Sequence, residues 1–502
     1  LGWRAVVVDG FIPPAIFMEF QALKVLVIAL DMRSVDHMVY TPAPDIVHEA
    51  AGHAPFIIDV DYAEFLQRFG EIGMKAIANE HDMQVYEAIR ALSIVKECPG
   101  SSEQDITQAE QHLQGVSGAE GKPSEASLLS RLHWWTVEYG LVGELDDYRI
   151  FGAGLLSSLG ESVHALDDEK VLKRPLTVDA VTCDYDITSL QRLLFVTKSC
   201  KHLSQVLNEF AASMCFVRGG AESLCMAIDA GTICSAQYDS GMQVSGVFSE
   251  VLCDSVGNAI YLRTQGPTAL AWRDTEVYGH GRGHHPEGFG SPIGMLKDFS
   301  RCLSEYTFDE LKNHNISLGE TVRLEFLSGI TVLGHLQAIH RQEHRNLILS
   351  FTDCTVTDLK GRRLFEPSWG CYDMVVGSRV ESVFGGSADR SAFPLYEASS
   401  GEQSRAAAPD ESLMSLYSDV SSQAAAGLRA DTTWFSQIND GLEVYCDEWL
   451  LRAEILDLPE SILNGYAGLA ARCTAELRAI GDRHPHFQPL ITRVLDDSSP
   501  AS

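Results

Sequence analysis

The residues best suited to chemistry lie in TPAPDIVHEAAGHAP, residues 41 to 55, where His48 and His53 stand five apart and Glu49 follows the first. Zinc hydrolases of the HExxH type place two imidazoles four apart on one helical face, with the glutamate as general base. Here the spacing is one residue longer. On a continuous α-helix the second ring rotates well off the first. The pair converges only where the helix ends or loosens, and Gly52 ahead of Ala54 and Pro55 supplies such a point. Two neutral imidazoles suit Fe, Zn, Cu or Ni about equally, so a third ligand discriminates more. Glu138, in RLHWWTVEYGLV, is the candidate, because a carboxylate among Trp134, Trp135 and Tyr139 is costly unless paired or bound to a cation. Two histidines and one carboxylate leave open positions for dioxygen and substrate, the arrangement of non-haem iron(II) oxygenases. The plain alternative is two helix-end histidines and a salt-bridged glutamate.

The elements that must position these groups follow from the rest of the chain. Its 502 residues exceed one ordinary core, and 45% hydrophobic against 21% charged residues is a globular composition. The net charge of −31 would repel nucleic acid or an anionic membrane, so neither is expected as a partner. The 12 cysteines are scattered without a CxxC, which points to reduced thiols in a cytoplasmic setting. The apolar run from Ile12 to Leu30 is interrupted by Pro13, Pro14, Glu19, Gln21 and Lys24, and reads as a core element and not a membrane span. No signal peptide is visible.

Four stretches separate by composition. Residues 1–212 read as a mainly α catalytic domain, with a polar insertion or surface loop at about 96–126 carrying one exposed helical turn. Residues 213–395 alternate apolar and polar positions, as at Val322, Leu324, Phe326, Ile330 and Val332, between glycine-containing turns. That pattern predicts a β-rich domain, an antiparallel meander or small barrel. Residues 396–431 read as a linker, and 432–502 as a helical segment with an acidic tail. GHGRGHHPEGFGSP, with His280, His284 and His285, offers no acidic residue near ligand spacing beyond Glu287, and its five glycines make it a loop rather than a metal site. Pro367, Trp369, Gly370 and Tyr372 read as an aromatic turn within the core. Leu442, Tyr445, Trp449 and Leu450 form an apolar helical stripe.

Three blocks carry a family resemblance. TPAPDIVHEAAGHAP resembles the TPEPDxxHExxGHxP signature of the pterin-dependent aromatic amino acid hydroxylases. WWTVEYGL resembles their WFTVEFGL, and FGAGLLSSLGES, residues 151–162, resembles their YGAGLLSSFGE. The blocks occur in family order and the resemblance covers about residues 10–212, in the layout of the long bacterial, phenylalanine 4-monooxygenase-like members. It implies the hydroxylase fold for that part, and an iron(II) triad of His48, His53 and Glu138. Arg33 would fork onto the substrate carboxylate. Thr41, Pro44 and Trp134 would shape the substrate pocket, and Ser157 and Glu161 would stand beside the iron and the amino acid. Phe17 would stack on a tetrahydropterin cosubstrate and Glu49 would face its polar edge. Asp45 would cap the helix or steady a ligand histidine. Ile187, where tyrosine-specific members have Asp, favours phenylalanine, giving phenylalanine to tyrosine with O2 as the implied reaction.

The chain departs from the family where FLSGLAFRVF is replaced by MEFQALKVLVI, around Phe17, and a regulatory domain ahead of the catalytic one is not expected. The C-terminal half would mediate homo-oligomer assembly or bind a regulator. Three other readings stand beside the main one: hydroxylation of another carboxylate-bearing aromatic metabolite, a zinc hydrolase using Glu49 as base, and a non-catalytic binding module.

Overall fold

The computed structural model describes residues 2–8, 12–30, 32–33, 44–97, 101–117, 122–187, 189–394, 410–426 and 432–497. Near the N-terminus the strands Arg4–Val8 and Val25–Ala29 pair in parallel, joined through the helix Pro14–Ala22. The long apolar run is thus a helix and a strand. No helix among the described residues is long and apolar enough to cross a membrane.

The helix Val60–Gly73 organises the first core. Asp59 caps it by accepting from the Tyr62 amide, and one face buries Tyr62, Phe65, Leu66, Phe69 and Ile72. Gly70 lets the helix Pro14–Ala22 approach closely, because a Cβ there would stand 2.3 Å from the Ala22 nitrogen and 2.5 Å from the Met18 carbonyl oxygen. Leu129, Leu132, Trp135 and Val137 complete this core with Leu194, Phe195 and Val196 of a mixed four-stranded sheet. That sheet runs in the order Asp147–Ile150, Leu141–Glu144, Leu193–Thr197, Leu172–Pro175.

The polar stretch expected as a loop is different. Residues Glu103–Ser117 form a helix of 15 residues lying on the helix Glu80–Glu97. Its apolar residues are few but correctly spaced: Ala109, Leu113 and Val116 face Ala88, Ile89 and Leu92, and Ile187 joins the cluster. One narrow stripe is enough to seat a helix whose other faces are solvated.

The later part is built of two antiparallel sheets. In one, Thr275–Glu276, Ala259–Trp272, Met242–Cys253, Ile233–Tyr238 and Val380–Gly385 lie side by side, and Gly290–Pro292 also pairs with Ala259–Trp272. In the other, Thr321–Glu325, Thr331–Gln342, Arg345–Thr357 and Arg363–Phe365 follow in order, with Tyr372–Val375 also paired to Arg345–Thr357. Val322, Leu324, Phe326, Ile330 and Val332 are all buried, as their alternation requires. Tyr372 is buried but Trp369 is 55% exposed, so the aromatic turn is only half core. Glu125 ties this part to the first, its buried carboxylate accepting from the amides of Ile77 and Cys215 at 3.1 and 2.6 Å.

Within the span read as a linker, Glu411–Ala426 is a helix, and its Val420 is buried against Trp434 and Ile438 of the next helix, Thr432–Val444. The apolar stripe beyond it is shared between two helices, since Thr432–Val444 ends before Trp449–Leu456 begins. Arg452, 1% exposed, fills the junction and donates to the carbonyls of Leu442, Tyr445 and Glu448 and to Glu476. The cysteines among the described residues are free thiols.

Candidate metal and substrate site

Both ligand-bearing segments are wide turns. Glu49–His53 closes through a bond from the Ala54 amide to the Glu49 carbonyl (3.0 Å), and Trp134–Glu138 through one from the Tyr139 amide to the Trp134 carbonyl (2.8 Å). These i→i+5 bonds make π-helical turns, which are rare and concentrate at functional sites. The widening answers the spacing problem. Residues five apart return to one face, and the Nε2 atoms of His48 and His53 stand 3.0 Å apart.

Glu138 reaches the same point. Its Oε2 lies 3.3 Å from His48 Nε2 and its Oε1 3.4 Å from His53 Nε2. Ligand atoms held about 2.0–2.2 Å from a first-row ion stand roughly 3.0–3.5 Å from one another, so the three donors fit such an ion. Burial pushes the Glu138 carboxyl up, but His48 and His53 outweigh it and hold the carboxyl well below its usual value. Burial pushes His53 down, yet Glu138 raises it overall. Either a proton on His53 or a cation among the three donors would satisfy the Glu138 charge, and the 3.0–3.4 Å spacing of the donors suits the cation. The metal reading gains over that of helix-end histidines.

The rings are held from behind. His48 Nδ1 lies 3.0 Å from Ser157 Oγ, so the ring is held from the side opposite the Nε2 that faces His53 and Glu138. Ser157 arrives there because Gly52 allows the helix Ala153–Ser157 against the π turn; a Cβ at Gly52 would stand 2.2 Å from the Ala153 Cβ. Asp45 does cap its helix, accepting from the His48 amide at 2.9 Å. It also takes a bidentate fork from Arg33, Nε at 2.7 Å and Nη2 at 2.6 Å, while Arg33 Nη1 donates to the Ser157 carbonyl. Burial pushes the Asp45 carboxyl up, but the bonds from Arg33 and the His48 amide hold it below its usual value. Arg33 is therefore seated by the same residues that seat His48.

The remaining expected residues fall around this centre unevenly. Glu49 is buried beside both histidines, and burial raises its pKa. Glu161 is 1% exposed and burial pushes its carboxyl up to about 7. Phe17 meets the edge of His133 at 5.9 Å. Pro44 is exposed, and Thr41 lies outside the described residues. Trp134 differs from expectation: Tyr139 and Tyr185 stack on it at 4.5 and 4.3 Å, so no indole face is left open for a substrate ring. Ile187 packs with Ala88, Leu92 and Leu113.

His133 was not singled out by spacing. Its Nδ1 is 3.9 Å from Glu138 Oε1, its ring meets Phe69 and Phe17 edge-on, and burial pushes its pKa down to about 4. The signal was its place five residues before Glu138, one turn of the widened helix.

Residues 1–89 and 92–217 match the sequence model of the biopterin-dependent aromatic amino acid hydroxylases. This part of the chain is similar to that family. It is 33% identical over 213 residues to a phenylalanine-4-hydroxylase of Dictyostelium discoideum, covering 42% of this chain and 38% of that one. A Pseudomonas aeruginosa phenylalanine-4-hydroxylase is 30% identical over 208 residues, with 41% and 62% covered. The chain thus spans less than two thirds of the length of these two relatives. A crystal structure of Chromobacterium violaceum phenylalanine hydroxylase, with bound iron(III) and oxidised 7,8-dihydrobiopterin, matches at 25% identity over 42% of this chain and 61% of that one, with a TM-score of 0.31.

Proposed function

We propose that residues 1–217 hydroxylate the ring of an aromatic amino acid, phenylalanine to tyrosine, using O2 and a tetrahydropterin at an iron(II) ion. The observation that carries this reading is the convergence of His48 Nε2, His53 Nε2 and Glu138 within 3.0–3.4 Å. Three protein donors leave positions open at an octahedral ion, as oxygen chemistry needs and a closed structural site does not provide. Iron(II) and the pterin together supply the reduction of dioxygen that ring hydroxylation requires.

The chain's own work is positioning. Ser157 holds the His48 ring, and Asp45 holds both Arg33 and the first turn of the ligand helix. Arg33 is assigned to the substrate carboxylate, and Pro44, Thr41 and Glu161 to the substrate pocket. Phe17 and Glu49 take the pterin's face and polar edge. His133, neutral at physiological pH, adds no second positive charge beside Glu138. Holding the ring in a reactive pose can lower the barrier by roughly 7–11 kcal/mol at the upper end.

The β-rich part and the terminal helices serve assembly or regulation, and free thiols with a strongly acidic composition suit the cytoplasm. A second reading keeps the site and changes the substrate to another aromatic carboxylic acid. It is favoured by the covered faces of Trp134. Anaerobic loading with iron(II), then tetrahydropterin and phenylalanine in air, separates the two. Tyrosine formed in step with pterin oxidation supports phenylalanine. Pterin oxidation without tyrosine favours the second reading, and no oxidation with any aromatic acid contradicts both.

A further inference from the structure

The glycine-rich loop expected to bind nothing lies against a carboxylate that sequence spacing could not reveal. His280, His284 and His285 converge on Asp373, some ninety residues downstream on the strand Tyr372–Val375. The ligand-capable atoms of all four lie within 4.8 Å of one another. From Asp373 Oδ2 the distances are 2.9 Å to His284 Nε2, 3.6 Å to His280 Nδ1 and 3.7 Å to His285 Nε2. Donors on a tetrahedral ion at about 2.0–2.1 Å stand roughly 3.3 Å apart.

Hydrogen bonding alone does not account for this arrangement. His280 Nδ1 and His285 Nε2 are buried and have no hydrogen-bond partner, although both are aimed at the same carboxylate oxygen. Two orphaned ring nitrogens facing one shared point are costly unless something occupies it. The surrounding groups are those a metal site keeps. Ser350 Oγ donates to Asp373 Oδ1 at 2.5 Å, which fixes the carboxylate. The far nitrogen of His280, Nε2, lies 3.4 Å from His340 Nε2, which holds the ring from behind. His280, His285 and Asp373 are largely buried while the His284 side chain is 46% exposed, which gives an ion its entry path.

We infer that His280, His284, His285 and Asp373 form a second metal site, distinct from the iron triad, that takes a zinc(II) ion in closed four-coordinate geometry. Three imidazoles and a carboxylate with no open position make a structural site. Its physical task is visible in the fold. The loop hangs from the six-stranded sheet, where the amides of Leu270 and Thr268 donate to the carbonyls of His280 and His285. Asp373 belongs to the other sheet, paired with Ser350. An ion there staples the two sheets and fixes a segment with five glycines, whose chain entropy otherwise opposes order.

The test uses the full chain carrying His53→Ala and Glu138→Ala, so that the first cluster lacks two donors. After chelation it is titrated with cobalt(II), and zinc(II) is then added. One equivalent of cobalt with the intense visible bands of tetrahedral coordination, displaced by zinc, is expected. Adding Asp373→Asn or His284→Ala should remove the bands. His284 is nearly half exposed, so its truncation leaves the fold intact, which circular dichroism checks. Absence of tetrahedral bands in the parent overturns the site, as do bands unchanged by either substitution. Zinc should also raise the melting temperature of the parent and not that of the His284→Ala chain; an equal rise in both contradicts the staple.

Discussion

The two histidine–carboxylate clusters of this chain use the same kinds of donor and differ in what holds them. His48, His53 and Glu138 sit on helical turns that are widened by i→i+5 bonds and braced by Ser157, Asp45 and Arg33. His280, His284, His285 and Asp373 join a glycine-rich loop to a strand of another sheet. The first provides three donors on stiff supports, the second four donors on a flexible one. Donor number decides whether an ion keeps open positions, and support stiffness decides whether the protein shapes the ion's geometry or the ion shapes the protein. On the proposed reading, the first is built for chemistry and the second for holding.

That contrast breaks most visibly at Glu138. Glu138→Ala should lower coupled hydroxylation by about a thousandfold, the loss of several kcal/mol at the reacting centre, with an unchanged melting temperature. Retained turnover would show that the triad does not hold the ion. Asp45→Asn should act on both stability and rate. It leaves Arg33 buried with a weakened partner, and breaking a buried pair of this kind costs roughly 3–5 kcal/mol, read by denaturant unfolding. At the second cluster, chelation should affect stability and not chemistry. Binding at a hundredfold excess over its dissociation constant stabilises by about 2.7 kcal/mol, restored by zinc after chelation, while hydroxylation returns only with iron(II). Ser157→Ala should weaken iron affinity or turnover by about 10–100-fold, because it removes the partner of His48 Nδ1.

The gentlest test is a pH profile. Burial raises the Glu161 carboxyl from 4.5 to about 7, so the folded state prefers the proton more strongly than the unfolded one. Stability from this group is complete below about 4.5 and is lost as pH rises through about 7. Glu161→Gln should flatten that window in unfolding experiments. An unaltered slope would show that the carboxyl is better solvated than its burial implies.

Much of the first cluster was legible in the sequence, because its donors lie in short blocks whose order is itself informative. The five-residue spacing even required a loosened helix, and the π turn supplies it. The partners of Trp134 were not legible. Tyr185 approaches from a distant loop, and nothing in local spacing reports a stack on both faces. The helix Glu103–Ser117 was hidden by its composition, since four apolar residues in a polar segment are easily read as a loop. The second cluster was missed for a sharper reason. Its histidines were conspicuous, but the carboxylate that completes them comes from another sheet, and only the folded chain brings Asp373 to them.

The claim that the first cluster is an oxygen-using iron centre is tested most directly with isotopically labelled dioxygen. The iron(II)-loaded chain, given a tetrahydropterin and phenylalanine, should place one labelled oxygen atom in each tyrosine formed. Zinc loading of the same cluster should give none. Tyrosine whose new oxygen comes from water, or product formation that persists with zinc at His48, His53 and Glu138, would contradict the account.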